Sequence, residues 1–268
     1  MNELFARTAV AAVLAAVIAG AAMRARALTG SGALAAFAVG TVVAGVGGWR
    51  PGAVLVLFFV SSSALSRFGR PDGGTARRGA TRDAVQVLAN GGIASICCLL
   101  SAVDEAHREI WLAGAIGSVA AVAADTWATE IGRRSRAIPR LLTTAAPVPR
   151  GTSGGVTVVG TAGSIAGAAL MAAAAAIHLQ PGAAGWSMRD AAAIALAGIA
   201  GSLIDSLIGA VAQARYRCPA CGQESERPVD RCQQRGTLIK GLAWVDNDVV
   251  NVAAAIAGAT VAMLLYAR

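Results

Sequence analysis

The chain has 268 residues, 56% hydrophobic and 14% charged, with a mean hydropathy of +0.60. That composition excludes a water-solvated globular domain and makes lipid the solvent for most of the surface. A net charge of +8 and a pI near 10.2 would suit a nucleic-acid ligand, but the arginines stand between apolar stretches, where they read as topology signals and no nucleic acid is expected.

Crossing about 30 Å of hydrocarbon takes about 20 residues of helix. Eight stretches are long enough: residues 3–22, 28–47, 51–69, 84–103, 110–131, 155–178, 189–212 and 247–266. The first carries no basic leader and is expected to span, not to be cleaved as a signal. Between the second and third, Gly47-Gly48-Trp49-Arg50-Pro51 leaves a very short turn, with Pro51 suited to a first helical position. Abundant Ala and Gly, with aromatics at only 4%, suit helices that approach backbone to backbone. The expected fold class is all-α: a polytopic transmembrane bundle of about eight helices, forming one integral membrane domain over residues 1–268.

Loop charge orients the bundle. Of the 23 basic residues, Arg7, Arg50, Arg108, Arg189 and Arg268 fall on one side under strict alternation, and all the others on the opposite side. The basic side is expected to be cytoplasmic and both termini outside, as in a bacterial-type cytoplasmic membrane. Residues 213–246 then form a cytoplasmic loop with three cysteines.

An ionisable group in hydrocarbon costs at least about 2.5 kcal/mol on insertion scales, so each intramembrane acid is a site candidate. Asp125 precedes Arg133 by eight residues, about 12 Å of helix. Asp205 precedes Arg215 by ten, about 15 Å. Asp83 opens the fourth span from the same side, and Asp246, Asn247 and Asp248 open the eighth. Asp83, Gln86 and Asn90 share one helical stripe, and Asn247 and Asn251 another, whereas Asp125 and Glu130 point about 140° apart. Structural pairing competes with a functional role for Asp83 beside Arg82 and for Glu130 near Arg133. Carboxylates converging without a matching buried Lys or Arg repel unless a cation sits among them, and Mg²⁺, held by a few carboxylates plus waters and phosphate oxygens, suits that role.

Before the sixth span stands Arg150-Gly151-Thr152-Ser153-Gly154-Gly155. Its glycines let backbone N–H groups curl around an anion, the following helix is expected to present its positive end there, and Arg150 adds a phosphate fork. No Gly-Lys-Ser/Thr follows, so this is not a Walker A loop, and a plain turn or packing patch is the competing reading. In the cysteine loop, Cys218-Pro-Ala-Cys221 has the shape of half a zinc knuckle, with Cys232 as a third thiol. A fourth ligand would have to be Asp230, a water or a second subunit, and reduced thiols without metal are the alternative.

Several blocks together resemble a known family: Gln86-Val-Leu-Ala-Asn90, Ala124-Asp125-Thr126-Trp127-Ala128-Thr129-Glu130, Arg150-Gly-Thr-Ser-Gly-Gly155, Gly201-Ser-Leu-Ile-Asp205 and Asn247-Asp248-Val-Val-Asn251. By these the chain is similar to the integral membrane family once catalogued only as a domain of unknown function, which includes plant phytyl-phosphate kinase. The resemblance implies transfer of a phosphoryl group from a nucleoside triphosphate, CTP favoured, to an isoprenoid monophosphate. It implies Asp125, Asp205 and Asp248 as Mg²⁺ ligands, with Asp246 and Glu130 added or behind them. Arg150, Gly151, Thr152, Ser153 and Gly154 would hold phosphate, and Asn90, Asn247 and Asn251 would orient its oxygens or metal waters. The expected partners are the bilayer, the prenyl phosphate and the nucleotide, with a homo-oligomer left open. A cation-coupled transporter and a non-catalytic scaffold are the other classes that intramembrane acids allow.

Overall fold

Small residues dominate the central helix, and its burial follows from that: all thirteen positions from Leu112 to Ala124 are buried. The structure is a computed structural model that describes residues 2–68, 81–177, 186–229 and 232–267. Among them are eight helices long and apolar enough to cross a membrane. These are α1 (Asn2–Arg24), α2 (Gly30–Thr41), α3 (Trp49–Phe68), α4 (Ala84–Val103), α5 (Arg108–Gly132), α6 (Val158–Ala176), α7 (Met188–Val211) and α8 (Asn247–Tyr266). α2 runs on through a π-helical turn, Val42–Gly47, to reach spanning length.

α5 is the hub, in contact with α3, α4, α6, α7 and α8. Its approach to α8 depends on missing side chains: a Cβ on Gly258 would lie 2.6 Å from the Gly117 carbonyl oxygen and 2.6 Å from the Ala121 methyl. α1 lies at the margin, with Phe5, Val13 and Val17 exposed, as suits a lipid-facing helix.

Helix starts follow local chemistry. Asp83 and Gln86 close a capping box on α4, Ser187 and Asp190 do so on α7, and Thr29, Thr157 and Asp246 cap α2, α6 and α8. Asp83 is thus a cap, and its stripe with Gln86 and Asn90 begins with two residues occupied by each other. α3 begins at Trp49, two residues before Pro51; Pro is tolerated there because first-turn N–H groups have no intrahelical partner. Gly48, at φ 105, makes the turn. α6 begins at Val158, three residues later than expected, because Gly155–Val156 pairs as a strand instead.

The all-α expectation holds for the spans, and the strands are confined to two loops. β1 (Arg140–Leu141) pairs with β2 (Gly155–Val156), while β3 (Arg215–Arg217), β4 (Glu224–Ser225) and β5 (Thr237–Lys240) form an antiparallel sheet in the order β4-β3-β5.

The alternation of loops is visible in their contacts. At one end, Arg67 donates to the Ala25 carbonyl (2.7 Å), Thr81 to Arg26 (2.8 Å) and Arg134 to Leu65 (2.8 Å). At the other end, Arg7 donates to Gly45 (2.8 Å), Arg50 lies 5.0 Å over the Trp186 ring, and Trp186 packs on Tyr266 at 5.5 Å. α1 therefore starts, and α8 finishes, at the same end. Arg70, Arg77, Arg78, Asp230 and Arg231 lie outside the described residues.

Candidate functional site

Two helices bring two acids together for a steric reason. Gly198 and Gly201 let α7 lie against α5: a Cβ on Gly198 would stand 3.1 Å from the Ala120 carbonyl oxygen, and one on Gly201 would overlap the Ala121 methyl. The helices run the same way, and the residues one turn beyond Ala121 and Gly201 are Asp125 and Asp205. Their side chains share a hydrogen bond. Both residues are half-buried, and Asp125 also feels the charges of Arg133 and Glu226.

α8 completes this wall from the opposite direction. The Ala254 carbonyl oxygen would lie 2.8 Å from a Cβ on Gly201, so Ala254 faces α7. Asn251 and Asn247, three and seven residues earlier, fall on the same stripe of α8 and nearer the loops. Asp248 lies in the first turn of α8, half-buried, and does not form with Asp125 and Asp205 a group of ligand atoms within 4.8 Å. Asp246 is exposed and accepts from the N–H groups of Asp248 (2.9 Å) and Val249 (3.0 Å), so its carboxylate caps the helix. Asn90, on α4, has a buried amide oxygen with no hydrogen-bond partner.

Glu130 belongs to a different neighbourhood. It accepts from Ser66 on α3 (2.8 Å), and the charge facing it is Arg82. The Arg82 guanidinium lies 5.9 Å and 5.5 Å over the rings of Phe58 and Phe59. Burial lowers the pKa of Arg82 and Glu130 opposes that shift. The angular separation expected on α5 thus sends Asp125 to α7 and Glu130 to α3.

The glycine loop folds back on α7. Gly151 and Gly154 have φ of 81 and 76, and the N–H groups of Thr152 and Gly155 are taken by Pro149 (3.2 Å) and Thr152 (2.9 Å) carbonyls. A Cβ on Gly154 would stand 2.5 Å from Ala210, so this glycine is where the loop crosses the end of α7. Helix α6 does not present its N-terminus to the loop as expected: β2 intervenes, and the Thr157 hydroxyl takes the Gly160 N–H at 3.0 Å. Arg150 is exposed, and Thr152 and Ser153 are half-buried.

Glu226, just beyond β4, had no signal in the sequence, yet its carboxylate accepts a short hydrogen bond from Ser153 and faces Asp125. Ser66 was equally illegible, and Arg82 was expected beside Asp83 and not Glu130, because only packing brings α3 and the start of α4 to α5. Lys240 was visible only as a topology charge; it donates to the Ala210 carbonyl (2.5 Å), where a cation suits the C-terminal end of α7.

In the connections of the same sheet, the sulfurs of Cys218, Cys221 and Cys232 lie within 4.8 Å of one another. The backbone N–H groups of Cys221 and Ala220 hold the Cys218 thiol below its usual range, and the Cys221 and Cys218 thiols push Cys232 up to about 11.

Comparison with known proteins covers nearly the whole chain. The family model described as integral membrane protein DUF92 matches residues 13–259. Protein PGR of Arabidopsis thaliana is 34% identical over 263 residues, 90% of each chain. An uncharacterized membrane protein of Methanocaldococcus jannaschii is 28% identical over 269 residues, 98% of this chain and 94% of that one. Protein VTE6, chloroplastic, of Arabidopsis thaliana is 25% identical over 245 residues, 89% of this chain and 65% of that protein. No solved structure matches.

Proposed function

The chain belongs to the integral membrane protein DUF92 family, and on that premise we propose that it is a Mg²⁺-dependent phosphotransferase that converts an isoprenoid monophosphate to the diphosphate. The observation that carries this reading is the contact between Asp125 and Asp205, at the basic end of the bundle and near the Ser153–Glu226 pair. The likeness to protein VTE6, together with the resemblance to a family that includes plant phytyl-phosphate kinase, supports the reaction type. CTP is the favoured donor, and the basic end is read as cytoplasmic.

Two carboxyl groups on separate helices, in contact below a ring of loops, form the oxygen-rich donor set that a hard divalent cation fits. Asp125 and Asp205 would hold Mg²⁺ there, and the ion would supply positive charge against the charge that develops during transfer. The chain's own residues then orient the reactants. Arg150, exposed beside the glycine loop, would hold the donor's phosphates, with Thr152 and Ser153 hydroxyls donating to their oxygens. Asn247 and Asn251 would orient phosphate oxygens or waters, and the unpartnered amide oxygen of Asn90 would accept from a water, while Asp248 stands at the rim. Asp246 and Glu130 have a cap and an Arg82 environment to serve, and would act behind the ligands.

In the step itself, a terminal oxygen of the monophosphate bonds to the γ-phosphorus. The bond from that phosphorus to the β,γ-bridging oxygen breaks, and the bridging oxygen leaves with its electron pair on the nucleoside diphosphate. The nucleophile is already an anion, so no strong base is needed. Its apolar tail can enter from the bilayer while the nucleotide arrives from water.

The test is turnover of geranylgeranyl and phytyl monophosphate by the purified chain with Mg²⁺ and CTP or ATP. Asp125→Asn, which keeps the hydrogen bond to Asp205 and removes the charge, should lower turnover at least about 100-fold with the elution profile unchanged. Full activity in that variant, or no diphosphate from any prenyl phosphate and nucleoside triphosphate, would sink the proposal.

A further inference from the structure

The three thiols lie on a scaffold with an internal two-fold echo. In the first half, Cys218 follows β3, its N–H donates to the Gln223 carbonyl (2.9 Å), and its carbonyl accepts from Gly222 (2.9 Å). Gly222 follows Cys221 at φ 70, and the N–H groups of Cys221 and Ala220 point at the Cys218 sulfur. This turn places two sulfurs side by side and aims amide dipoles at one of them, which is the way a metal-binding knuckle stabilises thiolates. In the second half, Cys232 is followed by Gln233 at φ 53, and Val229 pairs with Arg235 across the turn. A non-glycine residue at positive φ is uncommon, and here it repeats the position of Gly222.

From this geometry we propose that Cys218, Cys221 and Cys232 bind one zinc ion in a ribbon-like site whose fourth corner belongs to the position of Val229. Val229 precedes Cys232 by three residues, as Cys218 precedes Cys221. Sulfurs about 2.3 Å from a tetrahedral zinc lie roughly 3.8 Å apart, so sulfurs that all lie within 4.8 Å of one another reach that arrangement by small rotations of the thiol side chains. Soft thiolates select zinc over Mg²⁺, so this ion is separate from any held by Asp125 and Asp205. With only three cysteines, the last ligand comes from water or another donor. The β3–β4 hairpin also carries Glu226 to Ser153, so the ion would fix the hairpin over the glycine loop.

The test does not depend on the proposed reaction. Full-length protein, purified in detergent under reductant without a histidine tag, should contain about one zinc per chain by mass spectrometry. The Cys218→Ser/Cys221→Ser chain should contain none. Cobalt-exchanged protein should show sulfur-to-cobalt charge-transfer absorption, rising by about a third in Val229→Cys as three thiolates become four. Val229→Cys should also slow zinc loss to a chelator at least about tenfold. A wild-type chain with neither zinc nor cobalt–thiolate absorption, or one with a disulfide among the three, overturns the site. A Val229→Cys chain that loses zinc as fast as wild type overturns the fourth corner.

Discussion

Gly154 shows how much of a site can depend on an absent side chain. Its φ is 76, and a Cβ built there would stand 2.5 Å from Ala210, so there is no room for one. Gly154→Ala therefore meets both backbone strain and a clash with helix backbone, and should cost about 1–3 kcal/mol. In detergent the melting midpoint should fall, and phosphoryl transfer should fall further than stability explains, because Ser153 is displaced from Glu226. A chain that melts like wild type would show that the loop does not cross α7 there. The sequence made this glycine a candidate phosphate contact, and packing gives it a steric reason to be glycine. Sequence spacing did foresee that Asp125 and Glu130 part company, since a helix of 3.6 residues per turn cannot aim both at one ion.

At the scale of helices, the α5–α8 crossing joins the hub to the helix carrying Asn247 and Asn251. Gly258 is one of its tight points, 2.6 Å from the Gly117 oxygen to the position a Cβ would take. Gly258→Val should force α8 outward and cost more than about 3 kcal/mol, since neither helix backbone can yield without losing its own hydrogen bonds. The expected readout is a low yield of monodisperse protein. A well-behaved variant with unchanged melting would contradict the packing. Close helix approach was legible in the abundance of Ala and Gly, but the helices it joins were not, because composition says that backbones approach closely without saying where. The start of α6 was misjudged for a related reason: Gly155 and Val156 are apolar enough to extend a span, and only β1 explains why they pair as a strand.

For the whole molecule, the testable matter is which loops share a side. Single cysteines placed at Arg50 and at Thr143, in a background without native cysteines, should be labelled by an impermeant maleimide from opposite faces of the membrane. Labelling of both from one face would break the alternation and the reading of the basic end. The family membership, the eight spans and the segregation of basic residues were all determined by the sequence, because the cost of polar groups in hydrocarbon leaves its mark on every residue locally. The meeting of Asp125 with Asp205, the diversion of Glu130 to Ser66 and Arg82, the reach of Glu226 to Ser153 and the gathering of three sulfurs were decided only by the tertiary structure. Each joins residues from different elements, and the register in which those elements pack is fixed by the sum of many small contacts, none of which is written at the positions that finally meet.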